Sequence, residues 1–323
     1  MKMVHDNIYN ALLKEIRKRI PQNSKLVNTL VDILLIEKEA VYRRLRGEVP
    51  FTFHEIAVIT KHLEISLDTI IGIEVQKSKP FQLILPDFVN PHKEDLMMID
   101  TFIHFMKSII SDDDAEMVVI SNILPQDLFP RFEYLSKLTV FKWYYHYYND
   151  NQVKPFHEFT VPDIIRNGLK EQYLLAKNIK KTRYIFDNHL CEHVIKDVNY
   201  FSNIRLMDAE DIQKVKKELF QFLDYLKNLT VNGTFKETGN IVYIYVSDLD
   251  ILTSYSYMRT KNIKFSLIKA FLLTSVTSMN EDTFEKMRSW IQSVIKTSTL
   301  ITLANEKQRI LFFERQWEIV NSL

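Results

Sequence analysis

The chain has 323 residues, 46% of them hydrophobic, enough for two or three domains with real cores. A formal net charge of +1 excludes a histone-like polycation, so any nucleic-acid contact must come from a local arrangement of charge. The single cysteine, Cys191, excludes an internal disulfide framework.

These features carry further expectations. A lone cysteine fits a reducing cytoplasm. No apolar run has the length of a signal peptide at the N-terminus or of a membrane span anywhere, so no membrane association is expected. Only 5 glycines occur, so few positive-φ turns are available and long helices should dominate.

Residues 6–75 read as five short helices. The first carries Ile8, Leu12, Leu13, Ile16 and Ile20 at helical spacing and stops at Pro21. Ser24 is expected to cap the second, which turns Leu26, Leu30, Val31 and Leu34 inward. After a very short connection a third helix runs from about Glu37 to Arg46, with Gly47 where a C-terminal cap belongs. Thr52-Phe53-His54-Glu55 fits a capping box that opens a fourth helix with Ile56, Ile59 and Leu63 inside. Ser66 should cap a last short helix ending near Ile71. Residues 76–95 read as a linker, with Lys77-Ser78-Lys79-Pro80, Pro86 and Pro91 all unsuited to regular structure.

Residues 96–323 form the larger part. Leu96 to Ile110 reads as helix, broken by Ser111-Asp112-Asp113-Asp114, and Glu116 to Ser121 reads as a strand. Asp127 to Tyr148 reads as mostly helical, and two long helical patterns follow at about 165–200 and 208–228. Asn240 to Val246 and Ile251 to Met258 are β-branched and aromatic and suggest a hairpin, with a third strand within 263–276. Asp282 to Ile295 and Asn305 to Ile319 return to helix. The fold class expected is therefore mainly α with a smaller α+β part. An N-terminal helical bundle over 1–75 and the linker would precede a helical domain over 96–323 with a small antiparallel sheet.

The chemistry-bearing signal lies in the third helix and its flanks. Val41-Tyr42-Arg43-Arg44-Leu45-Arg46-Gly47-Glu48-Val49-Pro50 and Leu63-Glu64-Ile65-Ser66-Leu67-Asp68-Thr69-Ile70-Ile71 resemble the Cro/C1-type, or XRE-type, helix-turn-helix of bacterial and phage regulators. The resemblance covers about a fifth of the chain. It departs from the family pattern at Val31, where Ala is usual, and near Leu35, where a turn glycine is common. Leu45 stands where Glu is common, and Glu48 where a basic residue often follows the glycine.

The residues agree with that resemblance independently. With Ala40, Val41 and Leu45 inward, the third helix presents Lys38, Glu39, Tyr42, Arg43 and Arg46 outward. Arg reads guanine and Glu accepts from cytosine in the major groove, and the family register puts Lys38, Glu39 and Arg43 at base-reading positions, with Tyr42 beside them. Ser24, Lys25, Arg44 and Arg46 are placed for phosphates. Residues 1–50 hold ten Lys or Arg against six Asp or Glu, a local excess of positive charge.

The expected function is sequence-specific, double-stranded DNA binding by a transcriptional regulator that pairs as a homodimer. The second domain would oligomerise or sense a small-molecule or protein effector. Two other readings stay open: a protein–protein adaptor whose helical head never touches DNA, and an enzyme carrying a DNA-binding head.

Other motifs carry less. His189-x-Cys191-x-His193 would put both histidines on one helix face, but Cys191 points elsewhere and no second ligand pair follows, so surface histidines and a buried thiol are the better reading. Trp143 to Tyr148 is an aromatic run that reads as core before it reads as an effector pocket. Asp112 to Asp114 reads as a solvated loop. There is no Gly-rich phosphate loop, Gly-x-Ser-x-Gly or His-Glu-x-x-His, so no catalytic residue, metal or cofactor is expected.

Overall fold

A computed structural model describes residues 2–63, 65, 67, 70, 82–83, 93–147, 153–270 and 275–323. The chain divides into two compact units, Met1–Pro80 and Phe81–Leu323. Of the predicted linker, residues 76–81 and 84–92 lie outside the described residues, while Gln82–Leu83 is a short strand, β1, that belongs to the second unit's sheet.

Unit one holds four described helices: α1 (Lys2–Arg19), α2 (Asn23–Leu34), α3 (Lys38–Leu45) and α4 (Phe53–His62). Leu12, Leu13 and Ile16 of α1 pack with Leu26, Val27 and Leu30 of α2, Val41 and Leu45 of α3, and Ile59 of α4. Ile65 and Ile70 join the same core, although the cap predicted at Ser66 lies outside the described residues.

Two turn details differ from expectation. The N-cap of α2 is Gln22, with no side-chain cap bond, and Ser24 lies inside the first turn, exposed. Serine is favoured at a cap, but Pro21 ends α1 so early that the helical backbone resumes one residue before Ser24. The α2–α3 turn is closed by Leu35 in the left-handed region (φ 54°, ψ 40°), which glycine ordinarily occupies. At the other end of α3, Gly47 (φ 78°) makes the expected C-terminal turn. Its N–H donates to the Arg44 carbonyl, and the Glu48 N–H reaches back to Arg43, the paired bonds of a Schellman motif.

Unit two is built on an eight-stranded sheet in the order β1-β7-β6-β5-β2-β3-β4-β8. Its centre is parallel: β2 (Glu116–Ser121), β3 (Lys181–Asp187) and β4 (Ile241–Ser247). Antiparallel strands extend both sides: β5 (Tyr255–Arg259), β6 (Lys264–Lys269), β7 (Ser275–Ser278) and β1 on one, β8 (Thr299–Leu300) on the other. The predicted small antiparallel sheet is thus corrected to a mixed α/β sheet. The predicted hairpin is absent, since β4 and β5 are separated by β2 and β3.

The pattern predicted as one helix over 165–200 is three elements: α7 (Asp163–Ala176), β3 and α8 (Glu192–Asn203). β3 opens on Lys181, Thr182 and Arg183 and continues Tyr184, Ile185 and Phe186, so it shows no polar–apolar alternation and carried no period-2 signal. Helices α6 (Glu133–Tyr147) and α7 link β2 to β3, and α8 and α9 (Ala209–Asn232) link β3 to β4. Such long crossovers are what parallel pairing requires.

Alternate residues of each strand feed two cores. Met117, Tyr184, Phe186, Val242, Ile244 and Met258 pack into the main core with α5 (Lys93–Ile110), α6–α9 and α11 (Glu306–Asn321). Val118, Ile120, Ile185 and Tyr257 face the other way, against Phe284 and Ile291 of α10 (Glu281–Thr297). Among the described residues, no helix is long and apolar enough to cross a membrane.

Candidate nucleic-acid interface

The end of α3 is held from α1. Arg17 Nη2 donates to the Leu45 carbonyl at 2.7 Å. The Tyr9 hydroxyl donates to the Arg44 carbonyl and accepts from the Phe51 amide, both at 3.1 Å. These side chains satisfy carbonyls that a helix end leaves open, so α1 sets where α3 stops.

With Val41 and Leu45 buried, Lys38, Glu39, Arg43 and Arg46 are exposed together on α3, and Tyr42 is half-buried against the core. Ser24 and Lys25 are exposed in the first turn of α2, which has no acidic residue. Among the described residues, Lys25 and Lys38 make no ion pair.

Arg44 was placed by sequence as a phosphate contact; its guanidinium folds against Glu55, with Nε 3.0 Å from Oε2 and Nη2 2.8 Å from Oε1, and Nη1 donates to the Ala40 carbonyl. Its side chain is only 16% exposed. Glu55 is at once the N3 residue of the α4 capping box: it accepts from the Thr52 amide at 2.7 Å while the Thr52 hydroxyl accepts from the Glu55 amide at 3.3 Å. Burial pushes the Glu55 carboxyl up, but Arg44 and the Thr52 amide outweigh it and hold it below the usual range.

Arg46 is not free either. Its Nε lies 2.7 Å from Glu48 Oε1 and its Nη2 3.1 Å from Glu39 Oε1, while Glu48 Oε2 lies 3.7 Å from Arg43 Nε. The hydrogen bond from Arg46 holds the Glu48 carboxyl below the usual range. Sequence reasoning named Arg43, Arg44, Arg46 and Glu39 but missed Glu55 and Glu48 as their partners. The acid after Gly47 was a visible signal for Glu48; the pairing of Glu55 with Arg44 needed the approach of α4 to α3.

Unit two holds a polar cluster at the carboxyl end of β2. The Tyr184 hydroxyl donates to Asp127, and Lys269 Nζ donates to the Gln126 side chain. The Lys269 amide donates to the Ser254 carbonyl, and the Ser254 hydroxyl lies 3.0 Å from that of Ser121 and 3.1 Å from the Asn122 side-chain oxygen. Burial pushes Asp127 up to about 6, against the hydrogen bond from Tyr184. Burial pulls Lys269 down to about 8, against the attraction of Asp127. In the sequence Lys269 stands as a lone charge between Ile268 and Ala270, with nothing local to link it to Asp127.

The remaining motifs resolve as structure. Residues 188–191 form a turn and α8 starts at Glu192, so His189 and His193 do not share a helix face as predicted. Cys191 is fully buried, burial pushes its thiol up to about 12, and its amide donates to the Gln316 side chain. Trp143 is core, and Tyr144 and Tyr145 pack against it. Asp112 accepts from the amides of Asp114 and Lys261, while Asp113 and Asp114 pair with Lys180 and Lys261.

Compared with known proteins, the chain matches no family model, no curated protein and no solved structure.

Proposed function

We propose that the protein is a sequence-specific DNA-binding transcriptional regulator whose α3 reads the major groove. The observation that carries this reading is the pairing of α2 with the short α3 through a tight turn, with Val41 and Leu45 of α3 committed to the core, Glu39, Arg43 and Arg46 exposed on the face away from them and Lys38 exposed at the start of the helix. A helix so presented fits a groove that admits one helix and is read by Arg on guanine. Tyr42 stands at the edge of that face. Ser24 and Lys25, in a first turn without acidic side chains, suit a phosphate beside it.

A single head offers few base contacts, so the larger unit is assigned to pairing the chains as a homodimer, placing two heads about 34 Å apart on successive grooves. Its polar cluster at the carboxyl end of β2 sits where open parallel sheets take small ligands, which favours effector sensing there.

Selection of duplex fragments by purified protein, followed by titration of Arg43→Ala, tests the reading. Loss of Arg43 should cost about 1–3 kcal/mol on the selected site and much less on random DNA. Equal losses would make Arg43 a phosphate contact, and failure to bind any duplex at low salt would overturn the assignment. Light scattering should give a dimer; a monomer would remove the pairing role from the larger unit.

A further inference from the structure

Of the two arginines left for DNA once Arg44 is paired with Glu55, Arg46 is closed onto two acids and Arg43 stands within ion-pair reach of one of them. Arg46 spends Nε and Nη2 on Glu48 at 2.7 and 3.3 Å, and Nη2 also meets Glu39 at 3.1 Å. Glu48 Oε2, which also meets Arg46 Nη2, lies 3.7 Å from Arg43 Nε. Arg43, Arg46, Glu39 and Glu48 sum to zero charge, on the face that should meet a polyanion.

Backbone geometry puts Glu48 there. Gly47 turns the chain back at positive φ, and the Glu48 amide bonds the Arg43 carbonyl at 3.0 Å, so the carboxylate hangs beside the last turn of α3. The guanidinium fork that grips a carboxylate is the same fork that would grip guanine O6 and N7. Carboxylate and base edge therefore compete for the same donors. An exposed ion pair is weak enough for one matched bidentate contact to replace it. Random duplex offers no base edge in register, and its phosphates meet both acids as like charges.

We propose that Glu48, assisted by Glu39, is a specificity-determining residue: it masks Arg43 and Arg46 from the phosphates of unmatched DNA and releases Arg43 to a matched base. The inference rests on the DNA-binding reading above, and the experiment separates the two.

Full-length protein and Glu48→Gln, which keeps the shape and removes the charge, are titrated with a mixed-sequence duplex of about two helical turns and with the selected site, across a salt series. The variant should bind mixed-sequence duplex about 5–10-fold more tightly and the selected site with a smaller gain, so that discrimination falls several-fold. Its log affinity against log salt on mixed DNA should steepen by about 1–2 as the freed arginines reach phosphates. Glu39→Gln, which frees Arg46 alone, should raise affinity and steepen the slope on mixed-sequence duplex by less, where the base-reading place of Glu39 does not enter. The Glu48 side chain is 48% exposed, so the variant is expected to fold, and circular dichroism checks it. Unchanged affinity and slope, or an equal gain on both DNAs, would overturn the masking role while DNA binding stands. Absence of binding by the parent protein would overturn both.

Discussion

At Leu35 a leucine occupies backbone space that costs any side chain with a Cβ about 1–2 kcal/mol. It gets little in return, since the side chain is 89% exposed. Leu35→Gly removes that strain and gives back part of the gain as unfolded-state entropy. Amide exchange of α2 and α3 in the full chain should slow by the equivalent of about 0.5–1 kcal/mol. Unchanged or faster exchange would mean the turn is not strained. Arg44 presents the opposite case, a residue that looks available and is not. Arg44→Ala strips Glu55 of a charge-assisted pair, so opening of the α3–α4 region should become easier by about 1–3 kcal/mol. The salt slope of DNA binding should stay as it was, whereas a shallower slope would restore Arg44 to the phosphate contacts.

Among the elements, α4 shows how one carboxylate can serve two ends. Glu55 closes the capping box at the start of α4 and anchors Arg44 from α3. Thr52→Ala leaves its own half of the box empty and should cost the head about 1 kcal/mol, read from denaturant unfolding or exchange of α4. An unmoved midpoint would place the helix start elsewhere. The pH sign follows from the same contacts. The Glu55 carboxyl lies below its ordinary value in the folded head, so its stabilisation is full above that value and is lost as pH falls through the lowered one. Most helices of unit two were legible from apolar periodicity, although α7 and α8 read as a single helix. β3 was not: its Lys181-Thr-Arg-Tyr-Ile-Phe-Asp carries polar residues that only sheet pairing places.

In the larger unit, the segment between β4 and β5 must travel past β3 and β2, because β5 pairs on the far side of β2. Two pins mark its path: Asp187 at the end of β3 accepts from the Ile251 amide at 3.0 Å, and Ser254 meets Ser121 and Asn122. Beside the second pin lie Asp127 and Lys269. The Asp127 carboxyl is raised in the folded state, so its charged form opposes folding above about 6, and that opposition fades as pH falls towards the unfolded value. Lys269 runs the other way, its opposition fading as pH rises above about 8. Between these values both groups are charged. Relative to Asp127→Asn, the parent protein should therefore gain about 1 kcal/mol of stability between pH 7 and pH 5, after allowance for partial solvent access. Thermal unfolding of both proteins across that range measures it, and parallel pH profiles would remove Asp127 as the titrating group.

Local rules carried the first unit far. Apolar residues at helical spacing, Pro21, Gly47 and the Thr52–Glu55 box mark its first four helices, because a helix and its ends are satisfied within a few residues of chain. The outward set on α3 followed from the same periodicity. The strands Glu116–Ser121 and Ile241–Ser247 were also legible as β-branched and aromatic runs. Their neighbours were not, because a strand's partner is chosen by burial and crossover geometry across the whole unit. The same long-range packing decided which arginine is spent on structure, when α4 brought Glu55 to Arg44. It also gathered Asp127, Tyr184 and Lys269, residues dozens of positions apart, at the carboxyl end of one central strand, where burial moves two of their pKa values towards each other against their mutual attraction.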